Sequence, residues 1–174
     1  MPQGLKRLHQ SGQSHFITFS CYHRRPKLTN PEACRIFLET IEAARTRFAI
    51  RIYGYVLMPE HVHLLLSEPE SAPLAEAIHF LKLSTSKLLR PVTYCDAKRT
   101  PFWQARYYDR NIRDYHEFTV KLRYLHRNPV KRGLCQSPEQ WPWSSFHHYF
   151  TGTPGMVEIE SEWTARTRLS DLPG

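Results

Sequence analysis

Ile50-Arg51-Ile52-Tyr53-Gly54-Tyr55-Val56-Leu57-Met58-Pro59-Glu60-His61-Val62-His63-Leu64-Leu65-Leu66-Ser67 contains two short runs rich in β-branched, aromatic and aliphatic residues, parted by Met58-Pro59-Glu60. Runs of that composition read as strands, and a proline-bearing tripeptide between them reads as a turn. Ile50–Leu57 and His61–Ser67 are therefore expected to pair as a hairpin. In a strand, side chains at i and i+2 leave on one side. His61 and His63 should then emerge together, with Val62, Leu64 and Leu66 turned to the other face.

Outward from this hairpin the elements alternate. His15–Tyr22 reads as a preceding strand, followed by the basic connection Arg24–Asn30. Asn30-Pro31-Glu32 starts a helix: an Asn cap, Pro at the first helical position and an acid in the first turn. That helix runs to Phe48. After the loop Pro69–Pro73, Leu74–Arg90 is a second helix stopped by Pro91. Val92–Thr100 reads as a polar loop and Arg106–Ile112 as a fourth strand. Asp114-Tyr115-His116-Glu117 resembles a capping box, with Glu117 reaching back, and opens a helix expected to end near Asn128, because Pro129 disfavours helical geometry in the residue before it. The result is an α+β chain with a ferredoxin-like βαββαβ antiparallel sheet, two helices on one face and an additional C-terminal helix free to cover the other face or an edge. Residues 1–150 are expected to form one domain, and residues 151–174, which lack a strong pattern, a loosely docked tail.

The extra helix carries the second chemical feature. Phe118, Leu122 and Leu125 share one stripe, its expected core face. Tyr124 lies roughly 100° away from that stripe, and Asn128 sits one turn further along beside it. Phosphodiester transesterification needs a nucleophile and something to neutralise charge on the phosphate oxygens. A metal held by His61 and His63 leaves open positions for such an oxygen, Tyr124 is the candidate nucleophile, and Asn128 can add a neutral oxygen ligand. Phenols ordinarily titrate near pH ~10, so this nucleophile needs help from a metal or a base. Imidazoles by themselves lean toward zinc-like ions. Two other fates compete: a metal-dependent phosphodiesterase that activates water, for which Glu60 points to the wrong face of a regular strand, and a hairpin-binding regulator that does not cut.

Charge points to the same partner. The formal charge is +8, but Glu158, Glu160, Glu162 and Asp171 outnumber Arg166 and Arg168 after residue 150, leaving −2 there and +10 on the first 150 residues. A basic body interleaved with Trp103, Tyr107, Tyr108, Trp141 and Trp143 suits a polyanion. Lys121, Arg127, Lys131 and Arg132 on or just past the tyrosine helix, with Arg123 beside them, are candidate phosphate contacts. Arg24, Arg25 and Lys27 after the first strand are others, and Trp103 or Tyr108 could stack bases. No apolar run is long enough to span a bilayer, and the polar, basic Met1–Gln13 is not a secretory signal. Cys21, Cys34, Cys95 and Cys135 form no Cys-x-x-Cys pair, so reduced thiols and a cytoplasmic location are expected, without a membrane partner.

Three blocks carry a resemblance: Val56-Leu57-Met58-Pro59-Glu60-His61-Val62-His63-Leu64-Leu65; Phe102-Trp103-Gln104; and Tyr124-Leu125-His126-Arg127-Asn128-Pro129-Val130-Lys131-Arg132-Gly133-Leu134. With the ending Trp141-Pro142-Trp143-Ser144-Ser145, they resemble the REP-associated tyrosine transposases, bacterial relatives of the HUH single-tyrosine transposases of the smallest insertion sequences. The likeness runs from about Phe16 to Tyr149, with the motifs in order. It implies that His61 and His63 hold magnesium or manganese, with Asn128 in the place of a polar ligand. It also implies that Tyr124 becomes linked to a 5′-phosphate and leaves a 3′-hydroxyl. The implied substrates are short palindromic repeats that fold into hairpins when single-stranded; a monomer and a homodimer are both compatible.

Overall fold

The computed structural model describes residues 13–93 and 100–171. Its strands are β1 (Ser14–Ser20), β2 (Ile52–Leu57), β3 (His61–Ser67) and β4 (Tyr108–Asn111). All pair antiparallel, in the order β2-β3-β1-β4. The hairpin closes where Leu57 faces Val62 and Met58 N–H donates to the His61 carbonyl. β3 then lies along β1, with Thr18 opposite His63. Cys95 and most of the polar loop after Pro91 lie outside the described residues; Cys21, Cys34 and Cys135 are free thiols. Among the described residues, no helix is long and apolar enough to cross a membrane.

Strand alternation gives the sheet two apolar faces. Phe19, Leu64 and Leu66 pack against α1 (Pro31–Phe48) and α2 (Leu74–Leu89), through Phe37, Ile41, Ile78 and Leu81. Phe16, Val56 and Leu65 face the other way and meet Leu125, Phe118 and Leu122 of α3 (Tyr115–Lys131). The extra helix therefore covers the face opposite the helix pair. Its close approach depends on Gly54: a Cβ there would stand 2.6 Å from Leu122 Cδ1, 3.3 Å from Ser145 Oγ and 3.4 Å from Leu125 Cδ2.

Caps hold the helices as their sequences lead one to expect, with one shift. Asn30 Oδ1 accepts from Ala33 N–H at 2.7 Å, and Asp114 Oδ1 from Glu117 N–H at 2.7 Å. Glu117, however, reaches past the cap to the Arg113 N–H (3.1 Å) and to the Arg110 guanidinium. Three further expectations are corrected. First, α3 does not stop at Asn128 but runs through Pro129 to Lys131. A proline in the last turn forfeits a single intrahelical bond there, and its ring is buried. The helix closes at Gly133, whose φ of 70° suits a residue without Cβ, as the chain turns with Leu134 N–H on the Pro129 carbonyl.

Second, β4 is shorter than Arg106–Ile112, because residues 103 and 104 instead meet the end of β1 through the Cys21–Trp103 bridge and Gln104 N–H on the Ser20 carbonyl. Third, the C-terminal segment is docked rather than loose. After α4 (Phe146–Thr151) it buries Val157 and Ile159 in the main core and then forms α5 (Glu162–Ser170). Together with Trp143 and Ser144, it closes the outer edge of β2: Leu57 N–H donates to the Trp143 carbonyl and Glu160 N–H to the Ile52 carbonyl, both at 2.8 Å. An otherwise open strand edge is thereby paired.

On β1, the wholly buried His15 joins Asp109 of β4 through Nδ1 (2.7 Å) and Glu68 through Nε2 (2.8 Å). Burial opposes its protonation, but these two carboxylates outweigh burial and raise its pKa.

Gly54→Val should force α3 off the sheet and cost about 1–3 kcal/mol in urea unfolding, as overpacking does. Gly54→Ala should cost less, because the nearest atom is the end of a leucine side chain. Equal stability of Gly54→Val and wild type would show that the close approach is not a constraint.

Candidate active site

His61 and His63 leave β3 on the α3 side, and both rings are buried. Their Nε2 atoms stand 3.0 Å apart. Behind each ring, Nδ1 has a partner: Thr18 Oγ1 for His63 at 2.6 Å, and Glu60 Oε1 for His61 at 3.0 Å. A carboxylate only accepts, so His61 must carry its proton on Nδ1 and turn a bare Nε2 inward. Asn128 of α3, also buried, donates Nδ2–H to His63 Nε2 at 3.0 Å, so that nitrogen is an acceptor as well. Two imidazole lone pairs thus converge with no proton between them, an arrangement that a cation relieves.

The spacing fits one ion. Nitrogens about 2.1 Å from a shared ion and roughly at right angles lie about 3 Å apart. Rotating the Asn128 amide presents its oxygen to the same point. Among the described residues, no group of three or more His, Cys, Asp or Glu is placed to hold a metal. The donors that could face one ion here are two imidazoles and a neutral amide, a set that would leave coordination positions open.

Tyr124 stands over this pair. Its ring meets His63 edge-on with centroids 5.4 Å apart, and Phe16 at 6.0 Å, while the residue stays 39% exposed. Phe16 in turn stacks on His63 at 5.3 Å. The ring thus lies between the buried His63 imidazole and solvent.

A family model described as IS200-like transposase matches residues 9–128, from ahead of β1 through Asn128. The chain belongs to the IS200-like transposase family. It is similar to the REP-associated tyrosine transposase of Escherichia coli (strain K12), 26% identical over 143 residues, 82% of this chain and 81% of that one. A Haemophilus influenzae protein named for the REP-associated tyrosine transposases is 34% identical over 98 residues, 52% of this chain. The match spans 56% of that relative's length, little more than half. Among solved structures, a REP-associated tyrosine transposase bound to a REP hairpin superposes with a TM-score of 0.71 at 22% identity, over 91% of this chain and 92% of that one. At that identity the likeness is one of fold.

Around this centre the basic residues divide. Lys121 Nζ lies 4.7 Å from the Phe16 ring centre and 5.8 Å from that of Tyr124; Lys131 Nζ lies 5.7 Å from the Tyr124 centre. Burial first, then the positive Arg110, lowers the pKa of Lys121. Val120, Arg123, Tyr124, Arg127 and Lys131 line one shallow groove along α3. Arg132 and Arg24 instead reach Glu60, at 2.6 and 3.3 Å, and Arg25 follows at the surface. Two candidates are removed. Lys27 is buried, its ammonium donating to the carbonyls of Pro101 and Phe102 at 3.3 and 3.4 Å. Trp103 is core, packed on Phe19 and Phe37 with its indole N–H on Thr85 Oγ1.

Two supporting residues were not among the expected ones. Glu60 is expected to face away, but it stands in the turn before β3 begins, where alternation does not apply, and its buried carboxylate meets His61. Thr18 becomes visible only through the β1–β3 register.

Both imidazoles are neutral at ordinary pH. Burial, then the charge of His61, pushes His63 down to about 3; burial lowers His61 despite Glu60; and burial takes His126, bonded to Ser145 Oγ at 2.7 Å, to about 4. These folded-state values lie below the ordinary ~6.5. The stability linked to them is fully present above about pH 6.5 and is lost as pH falls toward about 4 and then 3. Ring nitrogen shifts at about pH 5 should report His63 and His126 as neutral. A protonated ring at either position at that pH would contradict this electrostatic picture.

Proposed function

We propose that this transposase is a metal-dependent single-stranded DNA endonuclease and strand transferase, forming a covalent 5′-phosphotyrosine at Tyr124 and acting on hairpin-forming palindromic repeats. The observation that carries the reading is the convergence of Tyr124 and Asn128, one helical turn apart on α3, onto His63 and its neighbour His61. The nature of the substrate rests on the family and on the relative of the same fold whose structure holds a REP hairpin.

His61, His63 and Asn128 would hold magnesium or manganese, which supplies neutralisation of charge on the non-bridging phosphate oxygens. The rest falls to side chains. Glu60 and Thr18 keep both Nδ1 protons outward, so that both bare Nε2 atoms face the point where the ion would sit. Lys121 and Lys131 place positive charge beside Tyr124, where the phosphodiester has to lie. The Tyr124 oxygen attacks phosphorus; the bond to the 3′-oxygen breaks; the phenolic proton goes to solvent, and the departing oxygen takes one up. The 5′-phosphate stays on Tyr124. Attack by another 3′-hydroxyl reverses these steps and rejoins the strand without ATP, because the phosphotyrosine conserves the bond energy.

The test is a denaturing gel with labelled single-stranded hairpin DNA and manganese. Wild type should give a heat-stable adduct. Tyr124→Phe should give none while binding the hairpin with nearly unchanged affinity, and an adduct there would move the nucleophile to Tyr108 or Tyr115. His61→Ala or His63→Ala should lower metal-stimulated cleavage by about two orders of magnitude or more; unchanged cleavage in both would remove the metal from the reading. Tight binding with no adduct from wild type would make the protein a hairpin-binding regulator.

A further inference from the structure

Two consecutive non-glycine residues after β1, His23 (φ 54°) and Arg24 (φ 53°), occupy the left-handed backbone region. Histidine visits it more readily than most residues, but nothing in an arginine favours it. Such conformations persist where the surrounding structure imposes them, and they gather at functional sites. Here the turn brings the Arg24 guanidinium to Glu60 Oε1 at 3.3 Å. The same oxygen accepts from Arg132, at the end of α3, at 2.6 Å and lies 3.0 Å from His61 Nδ1. The turn is also held by its backbone, with Cys21 N–H on the Glu60 carbonyl at 2.8 Å.

A structural ion pair accounts for only part of this. One guanidinium suffices to neutralise one carboxylate, and partly exposed pairs stabilise little. A second arginine, delivered by a strained turn, leaves the corner with net positive charge. Both side chains remain accessible, Arg24 60% and Arg132 46% exposed. Each guanidinium has five N–H donors in a planar fork that matches a phosphate. The corner adjoins the candidate centre, since a single imidazole, that of His61, separates Glu60 from the converging Nε2 atoms.

We propose that Arg24 and Arg132, held side by side on Glu60, clamp one backbone phosphate of single-stranded DNA next to the phosphate that Tyr124 attacks. The position of the clamp rests on the nuclease reading above; its existence as a phosphate site does not. Glu60 is a positioning residue in two directions. It keeps the two forks facing the strand, and it fixes His61 with Nε2 inward. One carboxylate thus sets the register between the bound strand and the imidazole pair.

The experiment measures binding of a hairpin oligonucleotide with a single-stranded flank to the full chain, with chelator present so that no cleavage intervenes. Each phosphate of the flank is replaced in turn by a neutral methylphosphonate. In wild type, one position should weaken binding about tenfold, as loss of a charged hydrogen-bonded contact does. In the Arg24→Ala/Arg132→Ala double variant, that position should carry no penalty, and the salt slope of binding should fall by about 0.7, the share of one single-strand phosphate. Arg24→Lys/Arg132→Lys, which keeps the charge without the fork, should lose most of the penalty. Glu60→Gln removes a negative charge and by charge alone would tighten DNA binding; the clamp instead requires the position-specific penalty to disappear. Identical penalty maps in wild type and the double alanine variant would overturn the clamp, even with the Tyr124 adduct intact. A position-specific penalty that depends on both arginines, in a wild type that forms no adduct, would uphold the phosphate site and overturn only the nuclease reading.

Discussion

His63 is where the sheet and the tyrosine helix are held in register. Its Nδ1 is tied to Thr18 on the neighbouring strand, its Nε2 accepts from Asn128 on α3, and its ring lies against Phe16 and Tyr124. Two of these contacts come from β1 and two from α3, so the ring can satisfy them together only if α3 lies at one height and one rotation over the sheet. Gly54 allows that height, because any side chain there meets Leu122. Leu125, fully buried against Phe16, Val56 and Leu65, sets the rotation. Tyr124, the residue before it, then projects beside the histidines, and Asn128 follows one turn later.

The electrostatics of this junction follow from burial. Two imidazoles taken out of water resist protonation, and the residues behind them keep their inner nitrogens bare. Bare nitrogens facing each other favour a cation, and under the proposed function the absence of a carboxylate among the inner donors would leave that cation's charge available to a phosphate. Glu60 contributes its negative charge from behind, through His61, while Lys121 and Lys131 stand on the Tyr124 side. The Tyr124 side of the imidazole pair is therefore positive.

The segment after α3 supports this arrangement from a distance. Trp141 donates its indole N–H to the Leu57 carbonyl at 3.0 Å, and Ser145 joins the Tyr55 backbone to the His126 ring. These contacts lock the outer edge of β2 to the buried side of α3, one helical position from Leu125. The acidic C-terminal stretch continues along the same edge through Ile159 and Glu160.

Much of this was legible in the chain. Strand alternation alone puts His61 and His63 on one side, and the 3.6-residue repeat separates Tyr124 and Asn128 from the stripe of Phe118, Leu122 and Leu125. Asn30 and Asp114 announce their helices because a short polar side chain satisfies the first free N–H groups wherever it stands. Pro129 misled, because a breaker has little to break in a final turn. The docking of Ile159, the burial of Lys27 and Trp103, and the roles of Thr18 and Glu60 could not be read in the same way. The sequence by itself determined the direction in which each side chain leaves its own element, since that follows from backbone stereochemistry over a few residues. Only the tertiary structure decided which elements meet, and so which residues stand behind the histidines: those contacts join positions tens of residues apart, and they are selected by packing and by the need of buried polar atoms for partners.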